Sequence, residues 1–180
     1  MASTFHWGSF LGVAVILFLL AGLVNVFFAV FVPVSLHQGG PGAMGAFGLV
    51  MSEATDAQVL GRSLADIGRQ DPGLSAYLVA FMDTMCSMMM PLGILQLAVA
   101  WFALRAGQRW ALGASAIAGF ASLPYFNLAI PALYAGRGVP VGQVYAEAGA
   151  FLVGFPLVLA VVPTILGWIG LSRQAAGTTI

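Results

Sequence analysis

The sequence predicts an all-α fold: an integral membrane four-helix bundle with a short amphipathic helix in its first loop. Three observations carry this. Hydrophobic residues make up 61% of the 180-residue chain and charged residues only 7%, against about 25% charged in a soluble domain. Mean hydropathy is +0.99, so lipid is the expected solvent. Four stretches also reach the roughly 20 apolar residues that a bilayer-crossing helix needs. They are residues 10–34, 77–104, 110–133 and 144–171. The length suits one domain, 1–180.

Each element has its own signal. The first span is too long for a cleavable leader, and "MASTFHWGSF" lacks a basic segment, so it is expected to stay. The connection 35–74 opens Gly-rich, "QGGPGAMGAFG", and continues "TDAQVLGRSLADIG". There Thr55 and Gln58 fit a capping box. Leu60, Leu64 and Ile67 recur at i, i+4, i+7, the pattern of one amphipathic helix. "DPG" starts the second span, with Asp71 as N-cap and Pro72 at the first helical position. "RAGQRW" (Arg105–Trp110) is a tight hairpin, with Gly107 placed for a left-handed cap. "AGRGVPVG" turns the chain from the third span into the fourth. Prolines 91, 124, 131, 156 and 163 predict bends in the last three spans.

Net charge is zero, with six Lys+Arg and six Asp+Glu, and no basic run exists, so nucleic acid is not an expected partner. All six cations are arginine, which hints at a GC-rich bacterial genome. Arg105 and Arg109 fill the short hairpin and Arg173 the tail. Arg62 and Arg69 share the long loop with acids, and Arg137 lies on the same side. Short loops dominate orientation, so both termini are expected in the cytoplasm, with the protein in the plasma (inner) membrane.

Polar residues inside lipid usually face the bundle interior. Heights above the cytoplasmic end follow from 1.5 Å per residue: about 23 Å for Asn25, 26 Å for Asn127, 33 Å for Asp83 and 36 Å for Glu147. These four come from four helices and fall in the outer half, whereas Gln96 lies on the inner side. Tyr125 lies between the third span's prolines, beside Asn127. Bent helices around these groups would make a pocket for a lipophilic molecule. Plain bends, and acids placed at helix starts, are the simpler alternative.

Met82, Met85, Cys86 and Met89 share one helix face, with Asp83 and Met90 beside it. Thioether and thiol groups suit Cu(I), but methionine more often fills irregular cores, and no second span matches it. No metal or cofactor is expected. His6 and His37 flank the first span at opposite ends, as interfacial residues. In the third span Ala111, Ser115 and Gly119 recur at four-residue spacing, as do Ala114, Ala118 and Ser122. Such faces let helices approach closely, inside the bundle or against a partner subunit or a second copy.

The stretch "DPGLSAYLVAFMDTMCSMMMPLGILQLAVAWFALRAGQRW" resembles the four-helix EXPERA family, which includes the sigma-2 receptor and the emopamil-binding sterol isomerase. The likeness lies in an Asp-Pro before the second span, an acid in its early turns, a later proline, and a short basic-aromatic hairpin. The resemblance implies a cavity for cationic or sterol-like ligands, with Asp71 and Asp83 lining it. The family's first-span acid has no counterpart, Asn25 being nearest, and the isomerase's histidine and second glutamate are not matched. The hairpin also resembles those of bacterial four-span membrane proteins.

No phosphate loop, nucleophile triad, metal-ligand pair or CxxC is present, so a conventional enzyme is not expected. Three functions remain open: a non-catalytic accessory subunit or helper acting by helix packing, a binding protein or isomerase for a lipophilic ligand, and a small transporter or proton relay.

Overall fold

A computed structural model describes residues 5–148 and 154–177. All regular structure among them is helical. Ser9 starts α1 (Phe10–Gly39) by accepting the Gly12 N–H. The helix is about 45 Å long at 1.5 Å per residue, five residues longer than expected at its far end. It ends where Gly40 turns with φ 70°. A tight 3₁₀ segment, Pro41–Phe47, follows.

The expected single amphipathic helix is two. Helix α2 (Glu53–Leu60) ends at Gly61, whose φ of 74° breaks the run, and α3 (Leu64–Gln70) starts anew under Ser63. The cap of α2 is Ser52, which accepts the Thr55 N–H. Thr55 is thus inside the helix, not its cap. The acids Glu53 and Asp56 fall in the first turn, where the helix dipole favours them. Leu64 and Ile67 are fully buried, whereas Leu60 faces out.

Asp71 caps α4 (Pro72–Ala98) through the Leu74 N–H, with Pro72 opening the helix as expected. A π-type turn, Val99–Leu104, carries α4 into the hairpin, where Gly107 takes φ 79°. Helix α5 (Arg109–Ala121) leads through Pro124 into a second π-type turn, Tyr125–Ala129, and then α6 (Ile130–Ala135). Next come α7 (Val141–Ala148) and α8 (Phe155–Gly177). Four helical stretches are long and apolar enough to cross a membrane: Phe10–Gly39, Pro72–Leu104, Arg109–Ala135 and Leu157–Ala176. Glu147 belongs to α7; residues 149–153, inside the expected fourth span, lie outside the described residues.

Packing centres on α1, which lies against α4 along its length and against α8; α5 packs on α8. Glycines set the crossings. A Cβ on Gly93 of α4 would stand 2.9 Å from the Gly22 carbonyl oxygen of α1, and one on Gly170 of α8 2.5 Å from the Leu11 nitrogen. Bare backbone lets these helices meet. At the hairpin end Leu11, Val15, Phe18, Leu104, Leu112 and Leu171 form the core. At the loop end Ala29, Val32, Leu36, Met44 and Cys86 form a second, with Met82, Met89 and Met90 against it. Met85 is not on that packed face; it is 46% exposed.

Candidate functional site

The polar residues sort into separate arrangements along the molecule. Deepest is Asn25 of α1, whose Nδ2 donates to Gln96 Oε1 of α4 at 3.4 Å. The pair lies one turn from the Gly22–Gly93 crossing, because antiparallel packing sets residue 25 opposite residues 93–96. Asn25 therefore belongs with Gln96 and not with the outer acids.

Nearer the loop end, Asp83 Oδ2 lies 2.9 Å from His37 Nε2, in the last turn of α1. Both side chains are partly exposed, and Asp83 Oδ1 is buried with no hydrogen-bond partner. At the start of α4, Asp71 pairs with Arg62 at 2.7 Å. The Leu74 N–H, and then the Arg62 guanidinium, hold the Asp71 carboxyl below its ordinary pKa. Asp66 is lowered likewise, by the Ser63 hydroxyl and then Arg69.

The loop cap is held by a carboxylate. Asp56, 3% exposed, accepts the Leu49 N–H at 2.6 Å and the Val50 N–H at 3.0 Å on Oδ2. On Oδ1 it accepts the Met51 N–H at 3.3 Å and the Tyr134 hydroxyl at 2.5 Å. Tyr134 is the last tyrosine of the third candidate span, so this bond ties the cap to it. Ser52 adds a second tie, donating to Glu147 Oε2 of α7 at 2.9 Å, while Gln143 donates to Glu147 Oε1. Met51, Tyr134, Val139 and Val144 pack around the joint.

Asn127 turns back on its own helix, its Nδ2 donating to the Leu123 carbonyl. Its own carbonyl lies four residues before Pro131, which has no N–H to offer; the Tyr145 hydroxyl takes that place at 2.5 Å. Tyr125 is 66% exposed. Among the described residues no hydrogen bond or ion pair joins any two of Asp71, Asp83, Asn25, Asn127, Tyr125 and Glu147. Nor do they include three or more His, Cys, Asp or Glu placed to hold a metal ion.

Among the described residues the third candidate span is the least buried of the four. Only 6% of its most apolar window is buried, against 22%, 28% and 33% in the others. Ala111, Ser115 and Gly119 face inward; Gly119 approaches Ala160 of α8 closely enough to leave a Cβ only 3.1 Å. The adjacent Ala114 and Ala118 remain exposed, as do Ile117, Leu128 and Leu133. Among the described residues, α6 packs on α7 and, through Tyr134, on the loop cap.

No family model, curated protein or solved structure matches the chain.

Sequence reasoning passed over Asp56, Tyr134, Ser52 and the His37–Asp83 pairing. For Ser52 and Asp56 there was a signal. "SEATD" sets a serine before two acids, which is an N-cap with a charged first turn.

Proposed function

We propose that the protein is a non-catalytic accessory subunit of a membrane assembly, acting by helix packing in the bilayer through its third span. The supporting observation is the 6% burial of that span. Its own chain covers it less than the other three, although it carries exposed small residues, Ala114 and Ala118, beside bulky ones, Ile117 and Leu128. Lipid tails cover bulky apolar residues well, whereas small residues favour close approach of another helix.

The test is a photoactivatable residue at Ile117 or Leu128, compared with Leu92 on the exposed side of α4. A discrete protein adduct is expected from the third span and not from Leu92, and Ala118→Leu should abolish it. The adduct's mass separates a second copy of this 18.7 kDa chain from another subunit. Lipid-only adducts at all three positions would overturn the proposal.

A second reading, a binding site for a small lipophilic or sterol-like molecule, rests on a different observation. Among the described residues α5 packs on α8 whereas α6 packs on α7 and the loop cap, a change of neighbour that favours a lateral opening beneath the cap. Native mass spectrometry of protein extracted with its lipids would then show one bound lipophile of fixed mass.

A further inference from the structure

We infer that the groove between α5 and α8 at the hairpin end is a binding site for one anionic phospholipid of the leaflet it faces. The groove has a volume of about 320 Å³ and an apolar wall of Leu112 and Gly113 on one side and Trp168 on the other, with Arg109 and Ser172 at one end.

Charge selects the occupant. All six acidic side chains lie in the loop half: Glu53, Asp56, Asp66, Asp71, Asp83 and Glu147. The hairpin end carries Arg105, Arg109 and Arg173 and no acidic side chain. Two of these cations are taken up by rings. Arg105 stands over Trp101 at 4.7 Å, with Phe5 and Trp7 also around it, and Arg173 stands over Phe10 at 4.5 Å. Among the described residues Arg109 has neither a ring nor a carboxylate against it, and it stands at the groove. A guanidinium there takes a phosphate oxygen pair, and the Ser172 hydroxyl supplies a further donor. Among the described residues no acidic side chain lies at this end to pair with the cationic headgroup of a zwitterionic lipid.

The shape selects a lipid over a soluble anion. Beyond Arg109 the walls run for two turns, about 10 Å, past Leu112, Ala116 and Trp168 to Thr164, whose hydroxyl donates to the Ala160 carbonyl, room for the upper part of an acyl chain. Gly113 keeps the floor open, since a Cβ added there meets nothing within 4 Å. Gly167 lets Leu112 sink toward α8, where a Cβ would collide with its Cδ1 at 2.6 Å. Trp110 and Trp168, 59% and 69% exposed, suit the interfacial level at which headgroups lie.

The experiment is lipid retention. The protein is placed in nanodiscs of phosphatidylcholine and phosphatidylglycerol, extracted, and its bound lipids are counted by native mass spectrometry. One phosphatidylglycerol is expected on the wild type, in preference to phosphatidylcholine. Arg109→Gln should lower that preference by about five-fold or more, the effect of one arginine at a charged surface. Gly113→Phe changes no charge and adds its Cβ in open space; it should remove the lipid while the melting temperature holds. Arg173→Gln should retain it. Equal retention of the two lipids by the wild type would overturn the assignment. So would equal losses in Arg109→Gln and Arg173→Gln with retention in Gly113→Phe, which is the signature of diffuse attraction.

Discussion

The Asp56–Tyr134 joint should behave as a buried carboxylate latch, and three substitutions separate its parts. The four donors on Asp56 are the Leu49, Val50 and Met51 amides and the Tyr134 hydroxyl. Tyr134→Phe removes one hydrogen bond to a charged acceptor, ordinarily worth about 1.5–3 kcal/mol. Asp56 Oδ1 keeps the Met51 amide, so the low end of that range is expected. Asp56→Asn can turn its carbonyl oxygen to the Leu49 and Val50 amides and donate from its NH₂ to the Tyr134 oxygen. The 3.3 Å bond from Met51 is lost and the Tyr134 O–H gives up its acceptor, so the cost should be about 1–3 kcal/mol. Asp56→Ala strands all four donors at a site where both side chains are under 5% exposed. At about 1–3 kcal/mol per unsatisfied buried group, it should cost more than about 3 kcal/mol even if water reaches some of them. The assays are unfolding in mixed micelles and hydrogen exchange at residues 49–51. The three amides should lose protection in Asp56→Ala and mostly keep it in Asp56→Asn. Equal destabilisation by Ala and Asn, with equal protection of those amides, would refute the latch.

Other expectations are as direct. Gly93→Ala should cost about 1–3 kcal/mol, the usual toll of overpacking, because its Cβ meets Gly22 backbone; Gly113→Ala, in open space, should cost nothing measurable in the same unfolding assay. Asp71 has a depressed pKa, so its charge contributes stability above the unfolded value near 3.9 that disappears as pH falls through the lower folded value. Asp71→Asn should therefore melt below the wild type at pH 6, and the gap should close as pH falls through the folded value. Met85→Leu with Met89→Leu should cost under about 1.5 kcal/mol each, as volume-conserving swaps do; stoichiometric copper in the wild type, lost in the double variant, would argue for a metal role. With the hairpin in the cytoplasm, Gln108→Cys should resist an impermeant thiol reagent in intact cells and Gln58→Cys should react, and the reverse pattern would invert the orientation.

Much of the fold was legible because stretches long and apolar enough to cross a membrane have few alternatives to a helix. Apolar length alone marked the first three long helices to within about five residues at each end. Local chemistry also read through: Asp71 and Pro72 open α4, and Gly107 closes the hairpin in the left-handed region. The loop was harder, since its periodicity was real but shared between two elements. Leu64 and Ile67 do face the core, yet Gly61 and Ser63 break the run that joined them to Leu60. A helical repeat survives such a break in the sequence, while the axis it refers to does not.

The polar groups show a different limit. Height along a helix follows from counting residues, and by height Asn25, Asn127, Asp83 and Glu147 formed one band. Which way each side chain points depends on rotation about each axis, and that is decided by packing. The close approach of Gly22 to Gly93 turns Asn25 toward Gln96. The register this sets along α1 and α4 brings His37 to Asp83 near the loop end. Pro131 leaves the Asn127 carbonyl without its helical donor, and Tyr145 of α7 supplies one, so the third span's outer half is bound to the element that follows it. Asn25, Asp83 and the Asn127 carbonyl have thus found neighbours through a backbone feature, glycine or proline, while Glu147 bonds Ser52 and Gln143. The third span keeps exposed small residues, Ala114 and Ala118, beside bulky ones, Ile117 and Leu128, and it is this surface, more than any polar group, on which the proposed helix association rests.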